Sequence, residues 1–383
     1  MQTSNHISHH MDHRTEILII GQGICGTFLS WELHRAGVPH VVIDEQRPDT
    51  ASRAAAGLIN PVTGRRIVKT WMIDELLPFA REAYRQIGAT LGGSYMDPVD
   101  VVDFFPTPQM RLAFLDRYAE DPQYLRLPED EHDWDERFCY GLGYGLISPC
   151  YLVDLPGLLA AARQWMREQG VLREERFVRE ELVVEGKVRY RDIVARRVIF
   201  CDGIESSGSA FFSRLPFAPN KGEALIVEIP GLVDGAGESG NGQSGNAELG
   251  NGAGGRIFKK GITLAPWQDG LYWVGSSYEW SFTHAEPTEA FRKRTEAALQ
   301  EWLKLPFRTV RHIASVRPAT LERRPFVGFH PLYPAVGILN GMGTKGCSLA
   351  PYFAHQLVQY MTAGEPIRPD ADVRRFGKIL SKG

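Results

Sequence analysis

The chain has 383 residues, of which 43% are apolar and 23% are charged, and its formal net charge is −3. This length suits two domains, and the composition is ordinary for a globular protein. The small negative charge supplies no general field for nucleic acid or an anionic membrane, so neither is expected as a partner.

The cysteines and the N-terminal segment bear on the compartment. The five cysteines are odd in number and form no CxxC pair, so we expect reduced thiols in a cytoplasmic protein. No apolar run reaches the roughly 18 residues of a membrane span. The polar N-terminus holds His6, His9, His10 and His13. These could bind a metal, but a frayed tail is the expectation because termini usually lack the scaffold of a metal site.

A stretch near the N-terminus reads ILIIGQGICGTFLSWELHRAGVPHVVIDEQ and predicts a strand, a helix and a second strand. Gly21 permits a tight turn, Gly23 lets the backbone approach a pyrophosphate, and Gly26 lets helix and strand pack closely. The unpaired N–H groups at the helix start suit phosphates, and Asp44 suits ribose hydroxyls. The unit therefore predicts a dinucleotide site. Glu45 disfavours a 2′-phosphate, since carboxylates repel it.

Later segments continue the alternation of strands and helices. A helix is predicted from VDLPGLLAAARQWMREQG, and a hairpin followed by a strand from ELVVEGKVRYRDIVARRVIFCDG. Near the C-terminus, the strand, glycine turn and helix recur in AVGILNGMGTKGCSLAPYFAHQLVQYMTAG. Residues 231–255 are nearly all Gly, Ser, Asn and acids, which predicts a flexible surface loop. We interpret this loop as an insertion in a hairpin rather than a domain linker.

Four segments follow the first glycine turn in this order: ASRAAAGLINP, GLISPCYLVDLPGLLAAARQWMREQG, RPATLERRPFVGFHP and ILNGMGTKGCSLAPYFAHQLV. With that turn, they resemble blocks of the FAD-dependent amino-acid and amine oxidases. This family, the DAO superfamily, includes D-amino-acid oxidase, glycine oxidase and sarcosine oxidase. The resemblance spans most of residues 16–361 and implies FAD as the cofactor.

The resemblance also implies a set of cofactor-binding residues. The first turn would face the pyrophosphate and Asp44 the adenosine ribose, while Ser52 and Arg53 would lie near the phosphates. Val178 would offer its backbone to adenine, Cys201 would lie against the adenosine end without a redox role, and the last turn would reach the flavin pyrimidine. The full set is Gly21, Gly23, Ile24, Cys25, Gly26, Asp44, Glu45, Ser52, Arg53, Gly57, Leu58, Val178, Cys201, Gly203, Gly341, Gly343, Thr344, Lys345 and Gly346.

Two residues would serve the reaction itself. Lys345 would stabilise negative charge on reduced flavin, and its alternative is a solvated turn lysine. Arg317 in the Arg-Pro block would grip the substrate carboxylate as a fork, and its alternative is a structural ion pair, for example with Glu322. Glu322, Arg323 and Arg324 are expected to form a salt-bridged surface cluster.

Further basic residues and the mode of FAD attachment leave alternatives open. Ser315 stands where sarcosine oxidases carry the cysteine that attaches FAD, so the resemblance implies non-covalent FAD. The lysine that activates oxygen in some relatives has no firm counterpart, although Lys259 and Lys260 are near in sequence. The basic run GRRIVKTW could hold an anionic substrate group, or it could be a solvated loop.

The predicted fold class is α/β, with a Rossmann-like FAD-binding domain of the glutathione-reductase type. A second, α+β substrate domain would be built on a mostly antiparallel sheet. Residues 14–84, 143–215 and 308–383 would form the discontinuous FAD-binding domain, and residues 85–142 and 216–307 the substrate domain.

The implied function is oxidation of the C–N bond of an amino acid or a primary or secondary amine, by hydride transfer to flavin N5. One alternative is a FAD-dependent dehydrogenase of a hydroxy acid or amino acid with a quinone or protein acceptor. Another is the flavin module of a tRNA-modifying enzyme. The substrate, its chirality and the oligomeric state stay open.

Overall fold

The computed structural model describes residues 12–232 and 256–381, whose strands form two large sheets and one short hairpin. The strands are β1 (His13–Ile20), β2 (His40–Ile43), β3 (Leu58–Ile59), β4 (Val62–Thr63), β5 (Val68–Lys69), β6 (Met96–Phe104), β7 (Leu125–Arg126), β8 (Tyr144–Val153), β9 (Leu172–Arg173), β10 (Leu182–Glu185), β11 (Lys187–Tyr190), β12 (Ile193–Phe200), β13 (Asn220–Glu228), β14 (Ile257–Lys260), β15 (Ile262–Pro266), β16 (Tyr272–Gly275), β17 (Arg308–Arg317), β18 (Phe326–Phe329) and β19 (Val336–Asn340). The helices are α1 (Ile24–Arg35), α2 (Ala51–Ala54), α3 (Ile73–Leu91), α4 (Pro108–Glu120), α5 (Leu155–Glu168), α6 (Glu289–Trp302), α7 (Gly346–Ala363) and α8 (Gly377–Leu380).

The first sheet is mixed and has the order β10-β11-β12-β1-β2-β9, with β19 beside β12 and β18 beside β19. The pairs β12–β1, β1–β2, β2–β9 and β12–β19 are parallel. Its central strands are apolar on both faces because both faces are covered. Ile17 and Ile19 pack in the core that contains α1 and α7. Leu18 and Ile20 pack in the opposite core. The first strand, helix and strand of the prediction are thus present.

The second sheet has the order β17-β13-β16-β15-β14-β6-β8-β3, with β7 beside β8. Its strands pair antiparallel except for β14 with β6. One face, which includes Val101 and Ile257, shares a core with α1, α3 and α7 of the first layer. The other face, which includes Leu225 and Val274, packs on α6. The two sheets together confirm the predicted α/β fold class.

One local prediction is wrong. The strands that flank the glycine-rich segment, β13 and β14, belong to the same sheet, but β16 and β15 lie between them. They therefore form no hairpin, because β13 pairs with β17 along its whole length on one side and with β16 on the other. The predicted flexible loop 231–255 lies outside the described residues from position 233 onward.

The proposed domain boundaries stay a prediction, and sheet membership adds two facts to it. Strands β8 and β17 pair within the antiparallel sheet, although the prediction assigned both to the FAD-binding domain.

No helix in the described ranges is long and apolar enough to cross a membrane. Of the N-terminal histidines, His13 starts β1, while His6, His9 and His10 lie outside the described residues.

Candidate active site

The first glycine turn connects β1 to α1, and two of its glycines have no room for a side chain. Gly21 has a φ of +99°, and a Cβ there would lie 2.7 Å from the Cys201 carbonyl oxygen. A Cβ on Gly26 would lie 1.9 Å from the Gly21 carbonyl oxygen. Gly23 occupies the N-cap position of α1 and offers no side chain to cap it. The helix start is therefore open to an external acceptor such as a phosphate.

Ser52, which was predicted to lie near the phosphates, lies directly beside this helix start. Its Oγ accepts a hydrogen bond from the Ile24 N–H at 3.1 Å, and a Cβ on Gly23 would lie 3.1 Å from the same oxygen. Arg53 is half-buried, and burial lowers its pKa while the charge of Asp44 raises it. These contacts bring Ser52 to the first turn, and the charge of Arg53 acts on Asp44.

Asp44 is held rigidly at the end of β2. Its Oδ2 accepts from the Gln22 N–H at 2.9 Å, and its Oδ1 accepts from Arg163 at 2.7 Å and from the Gln46 N–H at 2.8 Å. A carboxylate has about four acceptor positions, so Oδ2 retains one for a ribose hydroxyl. The adjacent Glu45 is exposed.

Arg163 is a site residue that the sequence analysis missed. It lies on α5 with 1% of its surface exposed, and it contacts Glu174 at 2.9 Å as well as Asp44. These two carboxylates offset part of the cost of burying its charge. In the sequence it could not be distinguished from other helix arginines, because its partners are distant along the chain.

The residues predicted for the adenosine end lie around the end of β12. The Cys201 N–H donates to the Ile20 carbonyl, and burial raises the pKa of its thiol well above the usual range. The Val178 N–H donates to Tyr190 at 3.1 Å, and its carbonyl accepts from the Glu181 N–H. Both backbone groups of Val178 thus have partners within the chain in this structure.

The segment after α2 connects the two sheets. Gly57 has a φ of +87°, and a Cβ there would lie 2.0 Å from the Val153 carbonyl oxygen. Leu58 begins β3 and pairs with Leu152 of the antiparallel sheet. The Trp273 indole N–H donates to the Ala54 carbonyl at 3.0 Å. This places the predicted residues Gly57 and Leu58 where the two layers meet.

The last glycine turn follows β19 and meets the first. A Cβ on Gly346, the first residue of α7, would lie 3.3 Å from Ile24 Cγ2 at the start of α1. Gly341 and Gly343 have φ values of +77° and +57°. Two helix N-termini thus lie side by side, and their positive ends favour a shared anionic ligand. Thr344 is exposed at this turn.

Lys345 occupies the N-cap position of α7 and is partly buried. Burial lowers its pKa, and the charges of Arg323 and Arg324 lower it further. The expected salt-bridged surface cluster of Glu322, Arg323 and Arg324 is wrong for the two arginines. Glu322 pairs with Arg375 at 3.2 Å, while Arg323 and Arg324 form no ion pair within the described ranges.

Arg317 ends β17 and is surrounded by neutral acceptors. Its Nη1 donates to Asn220 Oδ1 at 2.7 Å and to the Ser277 carbonyl at 3.1 Å, and its Nη2 donates to Ser276 Oγ at 2.8 Å. The Tyr278 ring lies 4.7 Å from the guanidinium carbon. Burial lowers the pKa of Arg317. No carboxylate of the described residues pairs with it, so the proposed ion pair with Glu322 is absent.

A glycine on the neighbouring strand makes room for this guanidinium. A Cβ on Gly222 would lie 1.9 Å from Arg317 Nη2. Because Asn220 pairs with Arg317 across the sheet, Gly222 and Asn220 are on the same face. The sequence analysis missed both, since a strand glycine and asparagine carry no signal until the pairing of β13 with β17 is known.

The three lysines among the other basic candidates are already engaged. Lys259 pairs with Asp103 at 2.7 Å, and Lys260 donates to the Cys139 carbonyl at 2.7 Å. In the basic run, Lys69 pairs with Asp121 at 2.8 Å, while its two arginines are exposed.

Comparison with known proteins agrees with this geometry. Residues 16–360 match the family model described as DAO, FAD dependent oxidoreductase. The chain is 23% identical to the glycine oxidase of Pseudomonas aeruginosa over 394 residues, which cover 95% of this chain and 99% of the relative. The structure of glycine oxidase from Geobacillus kaustophilus has a TM-score of 0.73 and 16% identity, covering 97% of this chain and 99% of that one.

A second solved structure is similar along its length. Iminodiacetate oxidase from Chelativorans sp. BNC1 has a TM-score of 0.68 and 20% identity, and the match covers 92% of this chain and 96% of that one. The two glycine turns, the acid at the end of β2 and the family match over residues 16–360 agree. The chain therefore belongs to the DAO family of FAD-dependent oxidoreductases.

Proposed function

We propose that the chain oxidises the C–N bond of an amino acid or a small carboxylated amine, with FAD bound non-covalently between the first and last glycine turns. The chemistry that the cofactor supplies when bound is acceptance of a hydride from the carbon that bears the nitrogen. The contribution of the protein is to bind, orient and neutralise charge.

The observation that carries the proposal is the environment of Arg317. The guanidinium is partly buried, has neutral partners only among the described residues, and retains two of its five N–H donors. A buried cation without a counter-ion is costly, and a substrate carboxylate would offset that cost through charge-assisted hydrogen bonds. A carboxylate held there would fix the orientation of the adjoining amine.

The cofactor-binding residues would act in three groups. Gly21, Gly23 and Gly26 would allow the pyrophosphate to approach the N-terminus of α1. The free acceptor position on Asp44 would take a ribose hydroxyl. Lys345, at the start of α7, would oppose negative charge on the reduced cofactor.

Non-covalent attachment is supported by the residue at position 315. Ser315 is buried on β17, next to Gly222 on the paired strand, and it carries no thiol. The five cysteines are free, which also supports the expectation of a reducing, cytoplasmic compartment.

The electron acceptor distinguishes the proposed function from the first alternative, a FAD-dependent dehydrogenase. Oxygen as the acceptor gives peroxide, whereas a dehydrogenase passes electrons to a quinone or a protein and gives none. The third reading, a tRNA-modifying module, is disfavoured by the formal charge of −3, because RNA binding needs a basic surface.

The test is a substrate panel read by anaerobic bleaching of the flavin absorbance. The panel holds D- and L-amino acids, N-methylated amino acids, plain amines and hydroxy acids. Bleaching by carboxylated amines, with weaker or no response to plain amines and hydroxy acids, is expected. Bleaching by hydroxy acids alone would contradict the proposal. Peroxide assay of the active substrates under air then identifies the acceptor.

A further inference from the structure

Three basic side chains, Arg323, Arg324 and Lys345, lie together beside the last glycine turn, and we call them the basic corner. Pro318 to Arg324 carry the chain from Arg317 to this corner. Thr320 fixes the loop, because its Oγ1 accepts from the Arg324 N–H at 3.1 Å and donates to the Arg324 carbonyl at 2.8 Å. The corner is therefore a fixed continuation of the strand that ends at Arg317.

The same loop is packed against the last turn. A Cβ on Gly341 would lie 2.8 Å from Thr320 Cγ2, and the Gly343 N–H donates to the Pro318 carbonyl at 3.3 Å. Lys345 follows two residues later as the N-cap of α7. These contacts bring the two arginines close enough to lower the pKa of Lys345 by repulsion.

The charge of the basic corner is not neutralised within the chain as described. None of its side chains forms an ion pair with a carboxylate of residues 12–232 or 256–381, and the neighbouring Glu322 pairs with Arg375. Several basic residues elsewhere do pair with carboxylates. Lys69 contacts Asp121 at 2.8 Å, and Arg85 contacts Glu82 at 2.6 Å.

Aromatic packing holds Arg324 in place and leaves most of its guanidinium N–H donors accessible. Its guanidinium carbon lies 4.2 Å from the Trp71 ring centroid, and Trp71 stacks on Phe353 of α7 with ring planes 9° apart. The indole covers one face of the guanidinium. The N–H donors lie in the guanidinium plane, so they stay available to an acceptor beside the ring, apart from the Nη1–H bound to the Arg323 carbonyl at 3.2 Å.

We propose that the basic corner is a second anion subsite of the active site, and that the amine substrate carries a second acidic group. One carboxylate would bind Arg317 and the other Arg324, with Arg323 and Lys345 adding charge. The substrate class is then an acidic amino acid. The inference rests on the proposed function, because it assigns the second end of the same substrate. Lys345 alone would serve the charge of the cofactor, which leaves the two arginines for another anion.

The first experiment measures binding without turnover. The purified FAD-loaded protein is titrated with dicarboxylates from malonate to adipate, each against the monocarboxylate with the same number of carbons. Ligand binding is followed by the change in the flavin spectrum and by the rise in Tm. We expect at least one dicarboxylate to bind about tenfold or more tightly than its monocarboxylate, as one additional charge-assisted contact would give. Equal affinity for every pair would overturn the proposal.

Substitutions in the basic corner test which residues cause the preference for dicarboxylates. Arg324→Gln should remove it while leaving monocarboxylate affinity within about twofold, and Arg324→Lys should keep most of it because the charge remains. Arg308→Gln, at the opposite end of β17, removes an exposed arginine and should change nothing. A preference that survives in the Arg323→Gln/Arg324→Gln double variant would overturn the proposal. If Arg324→Gln fails to fold, the comparison of dicarboxylates with monocarboxylates in the wild-type protein and in Arg323→Gln still tests the proposal.

Measurements of turnover distinguish a failure of the second anion subsite from a failure of the proposed reaction. Glutamate is compared with glutamine, and aspartate with asparagine, in both chiral forms, by the rate of anaerobic flavin bleaching. Faster bleaching by the acidic member supports both proposals. Bleaching by the neutral members alone or at equal rates leaves the reaction standing and removes the second subsite. A dicarboxylate preference in binding without bleaching by any amine removes the reaction and leaves the subsite.

Discussion

The side-chain amide of Asn340 donates to the Gly203 carbonyl oxygen at 2.8 Å, and this bond joins the last glycine turn to the end of β12. The same amide lies 3.1 Å from Ser206 Oγ, and its oxygen accepts from the Gly341 N–H at 2.8 Å. Asn340 is 2% exposed. One buried side chain thus connects two chain segments that both flank the proposed cofactor site.

Asn340→Ala should therefore destabilise the protein and loosen the cofactor. The Gly203 carbonyl and the Gly341 N–H would lose their partner in a buried place, at a cost of about 1–3 kcal/mol. Chemical denaturation of the apoprotein should show this loss, and FAD titration should show weaker binding. Unchanged values for both would contradict the linking role of Asn340.

Gly26→Ala should weaken FAD binding by roughly 10- to 100-fold, since overpacking typically costs about 1–3 kcal/mol. A Cβ there would lie 1.9 Å from the Gly21 carbonyl oxygen, so the first turn must shift. The measurement is the flavin-to-protein absorbance ratio after dialysis. Gly37→Ala is the control, because Gly37 has a φ of +65° but no atom within 4 Å of its Cβ position. That variant should lose some stability and keep its flavin.

Arg317→Leu should lower kcat/KM for carboxylated amines by about 100-fold, the loss expected when a charge-assisted contact of roughly 2.7 kcal/mol is removed. Plain amines should lose far less. Steady-state rates for an amino acid and its decarboxylated amine give the comparison, with Arg308→Leu as a charge-matched control on the same strand. Equal losses for the two substrates would remove Arg317 from carboxylate binding.

Asp202 should make the stability of the apoprotein fall as the pH rises toward 8. Burial raises the pKa of its carboxyl to about 7, while Ser206 and Arg179 lower it. The unfolded chain releases this proton near pH 4 and the folded chain only near pH 7, so folding becomes less favourable across that interval. Asp202→Asn should raise Tm at pH 8 by more than at pH 5, because only the first part of this interval has been crossed at pH 5. An equal effect at both pH values would contradict this assignment.

The parts of the site that the sequence predicted are those whose signal is local. The turn from Gly21 to Gly26, the acid at Asp44 and the last turn each lie within one strand–turn–helix unit, where spacing alone carries the information. The fold class followed from the same alternation of strands and helices, together with the family resemblance.

The parts that were missed depend on contacts between distant segments. Arg163 reaches Asp44 across 119 positions, and Asn220 reaches Arg317 across 97. The expected hairpin around residues 231–255 was wrong because β16 and β15 are inserted between β13 and β14. Pairing of this kind is decided by packing of the whole sheet, not by the sequence of one strand.

The most direct test of the central claim, that non-covalent FAD lies between the first and last glycine turns, is analysis of the cofactor released from the purified protein by acid precipitation. The account predicts a yellow protein, a colourless pellet and FAD in the supernatant at about one per chain, and a flavin content that falls in the Gly26→Ala variant. A colourless protein that binds NAD, or flavin that stays with the pellet, would contradict it.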